Sequence, residues 1–330
     1  MKGEKNMHFK SVVSVEIEEM MGIPNLQEFF CREVVDAVTE IMEPYWVDTE
    51  NQDYLSFEVY TRQLKEEYES ETINMIRLPQ GNIVEANDPS FRIQYAINEG
   101  KVFQREAGPL KHMKRTKKAK KMKVISYSVK KLYTLDEYAE EMGYAQNKKT
   151  GEYGLWYNPQ AYWDWFAFGG RWPQMFLVKK TCEEYIPSYK ETEKNAPNGY
   201  IWACAARKKD IEWDVMRSWA IEKAKERYQE LSNIFKTGIK PEQFFATITE
   251  EGIFNYSGEL YLKGETEKEY LERLGYGKQM KYHIKPYSLI SSEDWMNESY
   301  ESPEDWDNIV DQFIEDIPDD GVLVGIDYHM

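Results

Sequence analysis

The spacing of apolar residues changes several times along this chain, and each change marks a new element. HFKSVVSVEIE, from His8, alternates with Phe9, Val13, Val15 and Ile17 on one side, which predicts a strand. PNLQEFFCREVVDAVTEIMEPY then takes helical spacing, with Phe29, Phe30, Val34, Val38, Ile41 and Met42 as its apolar stripe. Asn25, with Glu28 three residues on, predicts a capping box at its start, and Pro44 ends it. YLSFEVYT from Tyr54, INMIRLPQGNIVEA from Ile73 and VISYSVKKLY from Val124 read as strands. A short helix over TLDEYAEEMGY follows, capped by Thr134.

In the second half, Trp213, Met216, Ala220, Ala224, Tyr228 and Leu231 share one face of a helix that Asp210 is placed to cap. QFFATITEEGIFNYSGELYL reads as a hairpin turning at Glu250–Gly252. Ser302 and Pro303 open a last helix as N-cap and first residue, with Trp306, Ile309, Val310, Phe313 and Ile314 as its stripe. GVLVGIDYHM closes as a strand. No regular strand–helix–strand rhythm appears, so the pattern predicts an α+β fold with mainly antiparallel sheet.

With 330 residues the chain can bury a substantial core, in one large domain or two joined ones. The sharpest compositional break is KHMKRTKKAKKMK at Lys111–Lys123, which holds eight Lys or Arg and no acid. It suits a nucleic-acid or acidic-protein contact, or a solvated mobile connector whose like charges repel. The connector is preferred because the whole chain is net negative. The expected division is an N-terminal α+β part at 1–110, a basic connector at 111–124 and an aromatic-rich α+β main part at 125–330, which can be continuous with the first. KETEKNAPNG, from Lys190, reads as a polar surface loop.

Charge narrows the function classes. Acids number 58 against 42 bases, a formal charge of −16, which disfavours direct nucleic-acid binding and anionic membranes. No apolar run approaches the roughly 18 residues of a membrane span. Three unpaired cysteines, Cys31, Cys182 and Cys204, point to a reducing cytoplasm without a disulfide framework. The four histidines are scattered, which disfavours a zinc site. Phosphate-loop, dinucleotide, zinc-protease, serine-hydrolase and EF-hand motifs are missing, so no cofactor, metal or catalytic residue is assigned.

The densest chemistry lies in YNPQAYWDWFAFGGRWPQMF, Tyr157–Phe176, where eight aromatic rings surround two charges, Asp164 and Arg171. Gly169 and Gly170 with Arg171 could hold a phosphate or carboxylate on backbone amides and a guanidinium. Alternatively, the glycines supply positive φ for a turn that packs Trp172 on Trp165, and Arg171 pairs with Asp164 inside a core. The core reading is preferred. On the last strand Leu323, Gly325, Asp327 and His329 share one face. Asp327 could orient His329 for acid–base or metal chemistry, although a hydrogen-bonded edge pair is the simpler expectation. Gly325 leaves room for a neighbour, such as a ring of the aromatic segment. From Pro286 to Met330 there are thirteen acids and no Lys or Arg, so Glu304, Asp305, Asp307 and Asp311 are candidates for contact with a basic partner surface.

Read together, HF opening the first strand, PY closing the first helix, NPQAYWDWFAFGGRW, ARKKDIEWDVMRSWA and PDDGVLVGIDYHM resemble a family of uncharacterised phage and prophage proteins. The family pattern is NPxAxWDWxxxGGRW, a KxDID-like helix start and PDDxxLxxxDCHI, and the likeness spans nearly the whole chain. Here PYWVDTE stands for PYDE, Glu212 for an Asp, and Tyr328 for the cysteine of DCHI, which removes a thiol role at that position. The resemblance implies a mobile-element origin and work in the host cytoplasm. Two functions follow as expectations. One is a phage-type accessory protein that binds a basic surface on a host protein and inhibits a defence or nucleic-acid-processing complex. The other is an enzyme or nucleotide or small-anion binder built from Asp164, Gly169, Gly170, Arg171, Asp327 and His329.

Overall fold

The computed structural model describes residues 7–18, 24–77, 83–86, 95–98, 101–105, 115–118, 123–188, 195–242, 244–255, 258–276, 281–282, 284–298 and 301–329. The chain forms two compact units, Met1–Thr49 with Gln160–Met330, and Glu50–Pro159. The first unit opens with β1 (His8–Val15) and α1 (Leu26–Met42). The second holds β2 (Ser56–Val59), α2 (Thr61–Ser70), β3 (Thr72–Arg77), β4 (Ile83–Glu85), β5 (Tyr95–Asn98), β6 (Lys101–Arg105) and β7 (Arg115–Lys118). It is completed by β8 (Lys123–Ser128), α3 (Leu135–Glu141), β9 (Ala145–Gln146) and β10 (Tyr153–Tyr157). Back in the first unit come β11 (Trp165–Phe168), β12 (Phe176–Lys179), β13 (Tyr185–Pro187), β14 (Tyr200–Arg207) and α4 (Trp213–Thr237). Then follow β15 (Thr247–Ile248), β16 (Gly252–Asn255), β17 (Gly258–Leu262), α5 (Glu267–Arg273), β18 (Ser288–Ile290), β19 (Trp295–Asn297), α6 (Pro303–Asp316) and β20 (Val322–His329).

This is an α+β protein with a large, mainly antiparallel sheet and several small ones. β20 is the centre of the large sheet. One edge pairs with β1 along its full length, from His8 opposite His329 to Val15 opposite Val322. The other edge is shared, with β14 taking residues 322–324 and β11 taking 326–329. β18 lies beyond β1 and is its one parallel neighbour. Both faces of the sheet are covered. Phe30, Val34, Val38 and Met42 of α1 pack with Val13, Val324, Ile326 and Tyr328 on one face. Met216 of α4 and Trp306, Val310 and Ile314 of α6 pack with Val12, Leu177 and Leu323 on the other. That two-sided cover explains why β14 and β20 are buried at nearly every position rather than at alternate ones.

Several local expectations hold for the stated reasons. Thr134 and Glu137 form a reciprocal capping box, and Ser302 accepts the Asp305 N–H with Pro303 in the first helical position. The stripe of α1 is buried at four of its six expected positions, with Phe29 and Ile41 partly exposed at its margin. Two caps differ. Asn25 sits at φ 61°, ψ 49°, and its side chain caps nothing. A capping side chain needs extended backbone to reach the first turn, and the left-handed turn at Asn25 removes that geometry. Asp210 lies in a short 3-10 turn, and α4 starts from Glu212, whose carboxylate meets Lys179 Nζ at 2.8 Å. The hairpin expected at Glu250–Gly252 is present, extended by β17 into three strands. α4 is long enough to serve two cores. Its first turns pack on the large sheet, and Ala224, Leu231 and Ile234 pack on Ile253, Tyr261 and Tyr270.

The units part near residues 49 and 159, and Arg115–Lys118 of the basic stretch form a strand paired with β6 inside the second unit. Strand pairing uses backbone groups, so a run of basic side chains does not prevent it. Residues 111–114 and 119–122 of that stretch, and 190–194 of the polar loop, lie outside the described residues. No described helix is long and apolar enough to cross a membrane.

At the β14 end of the large sheet Arg207 is fully buried. Its Nε and Nη2 donate to both carboxylate oxygens of Glu184 at 2.8 and 2.7 Å. Nη1 donates to the carbonyls of Ile17 and Asp320, and Nη2 to that of Glu18. One planar guanidinium therefore ties the exit of β1 to the entrance of β20. Replacing it by Met leaves a carboxylate and three carbonyls without their donor. Arg207→Met should cost about 3–5 kcal/mol in denaturant unfolding, and Arg207→Lys should recover little of it because an ammonium cannot match the bidentate geometry. A loss under about 1 kcal/mol for Met, within the range of an exposed pair, would show that the clamp is not structural.

Candidate functional site

β20 carries a carboxylate into the interior of the sheet. Asp327 is 1% exposed, and an ionised group there needs compensating donors. It has two. His8 Nδ1 on β1 lies 2.9 Å from Oδ1, and the Arg171 backbone N–H donates to Oδ2 at 3.0 Å. The Arg171 amide reaches because the chain reverses at Gly169 (φ 67°) and Gly170 (φ 50°). Gly169 N–H also donates to the Gly325 carbonyl at 2.7 Å, fastening the turn to the strand. A Cβ on Gly170 would fall 2.2 Å from the Asp327 Cβ. Glycine is therefore required twice there, for its backbone angle and for the space the carboxylate occupies.

A second acid–imidazole pair sits beside the first. His329 Nδ1 is 2.7 Å from Asp164 Oδ1, and Asp164 N–H donates to the His329 carbonyl at 3.1 Å. The two imidazole rings are 5.3 Å apart, and the half-exposed Trp165 ring stands edge-on to His8 at 5.9 Å. A carboxylate can only accept, so each ring carries a proton on the Nδ1 that faces it. His329 Nε2 is buried and has no hydrogen-bond partner among the described residues. Register places Lys10 opposite Asp327, and alternate strand residues share a face, so Lys10 lies on the same side as His8. Burial lowers its ammonium to about 8.

Of the expected residues, Asp164, Gly169, Gly170, Arg171, Asp327 and His329 do come together, but with exchanged partners. Asp164 pairs with His329 rather than with Arg171, and Asp327 pairs with His8 rather than with His329. The reason is register. His329 stands across from Trp165, next to Asp164, while Asp327 is turned toward the neighbouring strand and the glycine turn. Arg171 contributes its backbone, its side chain is exposed, and its guanidinium makes no ion pair among the described residues. His8 was not singled out as a site residue, and only its pairing with β20 reveals it. The room at Gly325 is filled by Met175, whose Cγ and Cε would lie 2.5 Å from an added Cβ, and not by a ring. Trp172 packs in the core under α4 and α6 instead of on Trp165.

The other candidates divide. Asp311 accepts the backbone N–H groups of Lys281 and Tyr282 at 3.2 Å each, so it fastens a loop rather than facing a partner. Asp305 is exposed, its carboxylate accepting the Ser302 hydroxyl, and Asp307 is half-buried. Glu304 belongs to α6, but its side chain lies outside the described ones. Lysines from elsewhere also enter this acidic region. Lys281 meets Glu315 at 2.6 Å, and Lys208 donates to the Glu315 and Ile317 carbonyls. Burial raises the thiols of Cys31 and Cys182 and pushes Cys204 up to about 12, which keeps these cysteines from acting as thiolate nucleophiles. Among the described residues no group of three or more His, Cys, Asp or Glu is arranged for a metal ion. A cavity of about 390 Å³ bounded by Glu16, Glu18 and Asp320 lies at the opposite, Arg207 end of β20.

No protein-family model, no curated protein and no solved structure matches this chain.

The aromatic segment splits into a core part and a site part, and mutation should separate them. Trp163 is 9% exposed, donates Nε1–H to the Met42 carbonyl at 2.9 Å and stacks on Trp46. Trp163→Ala should cost about 3–5 kcal/mol, whereas Trp165→Ala should leave the melting temperature nearly unchanged. Gly170→Ala should cost at least about 1 kcal/mol from its backbone angle alone. Equal thermal shifts for the two Trp variants would remove this division.

Proposed function

We propose that the face carrying His8, His329, Asp164 and Asp327 is an acid–base site for a small anionic molecule. One observation supports this above others: two imidazoles stand side by side, each with Nδ1 held by its own carboxylate. Such a carboxylate fixes tautomer and ring orientation, so that Nε2 presents a lone pair in a defined direction. A buried, unpartnered nitrogen such as His329 Nε2 costs about 1–3 kcal/mol unless a bound group satisfies it, and such costs concentrate where a protein handles ligands. Two imidazoles in contact can serve as the acceptor and the donor of one reaction. Lys10, on the same face, supplies positive charge for an anion.

The tautomers are open to direct measurement. Long-range ¹H–¹⁵N spectra should show both rings with Nδ1 protonated. Asp327→Asn should disturb His8 and Asp164→Asn should disturb His329, each without the other's tautomer changing. Added inorganic phosphate should shift the Nε2 resonances of both rings. Rings without a proton on Nδ1, or indifferent to both phosphate and the Asn variants, would remove this function.

A second reading keeps the phage-type role, in which the protein binds a basic surface of a host protein in the host cytoplasm. It is supported by the exposed acids of the C-terminal region, Asp305, Glu315, Asp316, Asp319 and Asp320. Asp311 leaves this set because it holds the backbone of Lys281 and Tyr282. A partner recovered from host lysate should associate more slowly as salt rises, and charge reversal at Glu304, Asp305 and Asp307 should slow it further. An on-rate indifferent to both changes would place the contact elsewhere.

A further inference from the structure

We propose that the three-stranded sheet β5–β6–β7 of the second unit is a docking surface for single-stranded nucleic acid, independent of both functions above. The sheet takes part of the basic stretch into β7, so strand pairing arranges the charge of that part. Its three strands carry five bases, Lys101, Arg105, Arg115, Lys117 and Lys118, and no acid.

Alternation sorts these residues between two faces. Val102 of β6 is buried in a cluster with Ile76 and Ala86, against which Val84 and Val124 pack. Ile97, its partner on β5, belongs to the same face. Lys101, Phe103 and Arg105 alternate with Val102 and lie on the other face. Residues directly opposite on neighbouring strands share a face. That adds Lys118, across from Phe103, and Arg115, across from Arg105. The face away from the core therefore groups four cations with one aromatic residue.

The pairing of the two arginines points to a ligand. Lys118 and Lys117 stand opposite Phe103 and Gln104, so regular pairing would continue with Thr116 opposite Arg105. The register shifts at that step and sets Arg115 there instead. Such bulges re-aim side chains and are over-represented near functional sites. Like charges directly across a ladder destabilise it, and an anion between two guanidinium groups turns the repulsion into attraction. A phosphate suits them best, because the planar fork matches its oxygens.

A chain of phosphates matches cations spread along β6 from Lys101 to Arg105 and across to β7. Phe103 among them favours a single strand over a duplex, because unpaired bases offer π-faces to an aromatic ring. An acidic peptide supplies the charge without those faces. The net charge of −16 opposes binding mainly at a distance, since the Debye length is about 8 Å at physiological salt. Local charge and register thus decide the ligand of this sheet.

The test uses the full-length chain and the fluorescence anisotropy of a labelled thymidine oligonucleotide, read between about 50 and 200 mM salt. Four phosphate contacts on a single strand should give a slope of about −3 for log affinity against log salt. Arg105→Gln combined with Arg115→Gln should weaken binding at least about tenfold and reduce that slope by about 1.4. The melting temperature should not fall, because a like-charge pair has been removed. Phe103→Leu, which stays apolar, should weaken binding at least about fivefold and leave the slope unchanged. Lys223→Gln with Lys225→Gln on α4 changes the net charge equally and should leave binding intact. Absence of saturable binding at the lowest salt overturns the proposal, as does tighter binding of a duplex of the same length. Equal losses in the α4 variant, or a lower melting temperature in the arginine variant, also overturn it. Displacement of the oligonucleotide by polyglutamate at equal charge overturns it in favour of an acidic protein partner.

Discussion

A carboxylate buried in the middle of a sheet governs the architecture of the first unit. Asp327 cannot reach solvent because β20 is paired on both edges and covered on both faces. Its charge must be answered by groups that the fold brings to it. His8 answers from the start of β1, and this requires β1 to run antiparallel in register with β20 to its last residue. The Arg171 amide answers from the far side, and this requires a left-handed turn at two glycines with no Cβ at the second. The HF, GGRW and DYH segments, far apart in the chain, are thus parts of one electrostatic solution.

Arg207 plays the reciprocal part at the other end of the same strand. It is a buried cation with a bidentate carboxylate partner and three backbone carbonyls. The large sheet therefore holds a buried acid at one end and a buried base at the other, each hydrogen-bonded to neighbouring elements. The difference lies in what remains open. Around Arg207 the donors are spent on Glu184 and backbone. Around Asp327 and Asp164, His329 Nε2 is buried without a hydrogen-bond partner among the described residues, and the Trp165 indole remains half-exposed.

The acidic C-terminal region shows how far a linear charge count can mislead. Thirteen acids without a base read as an unscreened field. Folding places Lys281 against Glu315 and directs Lys208 to the carbonyls that follow α6, while Asp311 is consumed in holding a loop. The remaining exposed acids, Asp305, Glu315, Asp316, Asp319 and Asp320, form a more broken series than the sequence suggests. The two proposed functions use different faces and different physics, one screened by salt and one dependent on hydrogen-bond geometry.

Local chemistry determined much of this fold from sequence. The caps at Thr134 and Ser302, the stripe of α1, the alternation of β1, the glycine turn and the α+β class all follow from interactions within a few residues, where spacing and φ/ψ preference decide. The aromatic segment, the two glycines and the Asp and His of the last strand were legible as candidate chemistry because such residues are costly to bury without reason. The pairing of Asp327 with His8 and Asp164 with His329 was not legible. It depends on which strands are neighbours and in what register, and a one-residue slip would turn these side chains to the other face. The unit boundaries near residues 49 and 159, the strand within the basic stretch, and the role of Arg207 were likewise decided by long-range pairing. Periodicity describes how a segment buries itself. Only the tertiary structure selects which buried charge meets which partner, because that choice depends on groups hundreds of residues apart.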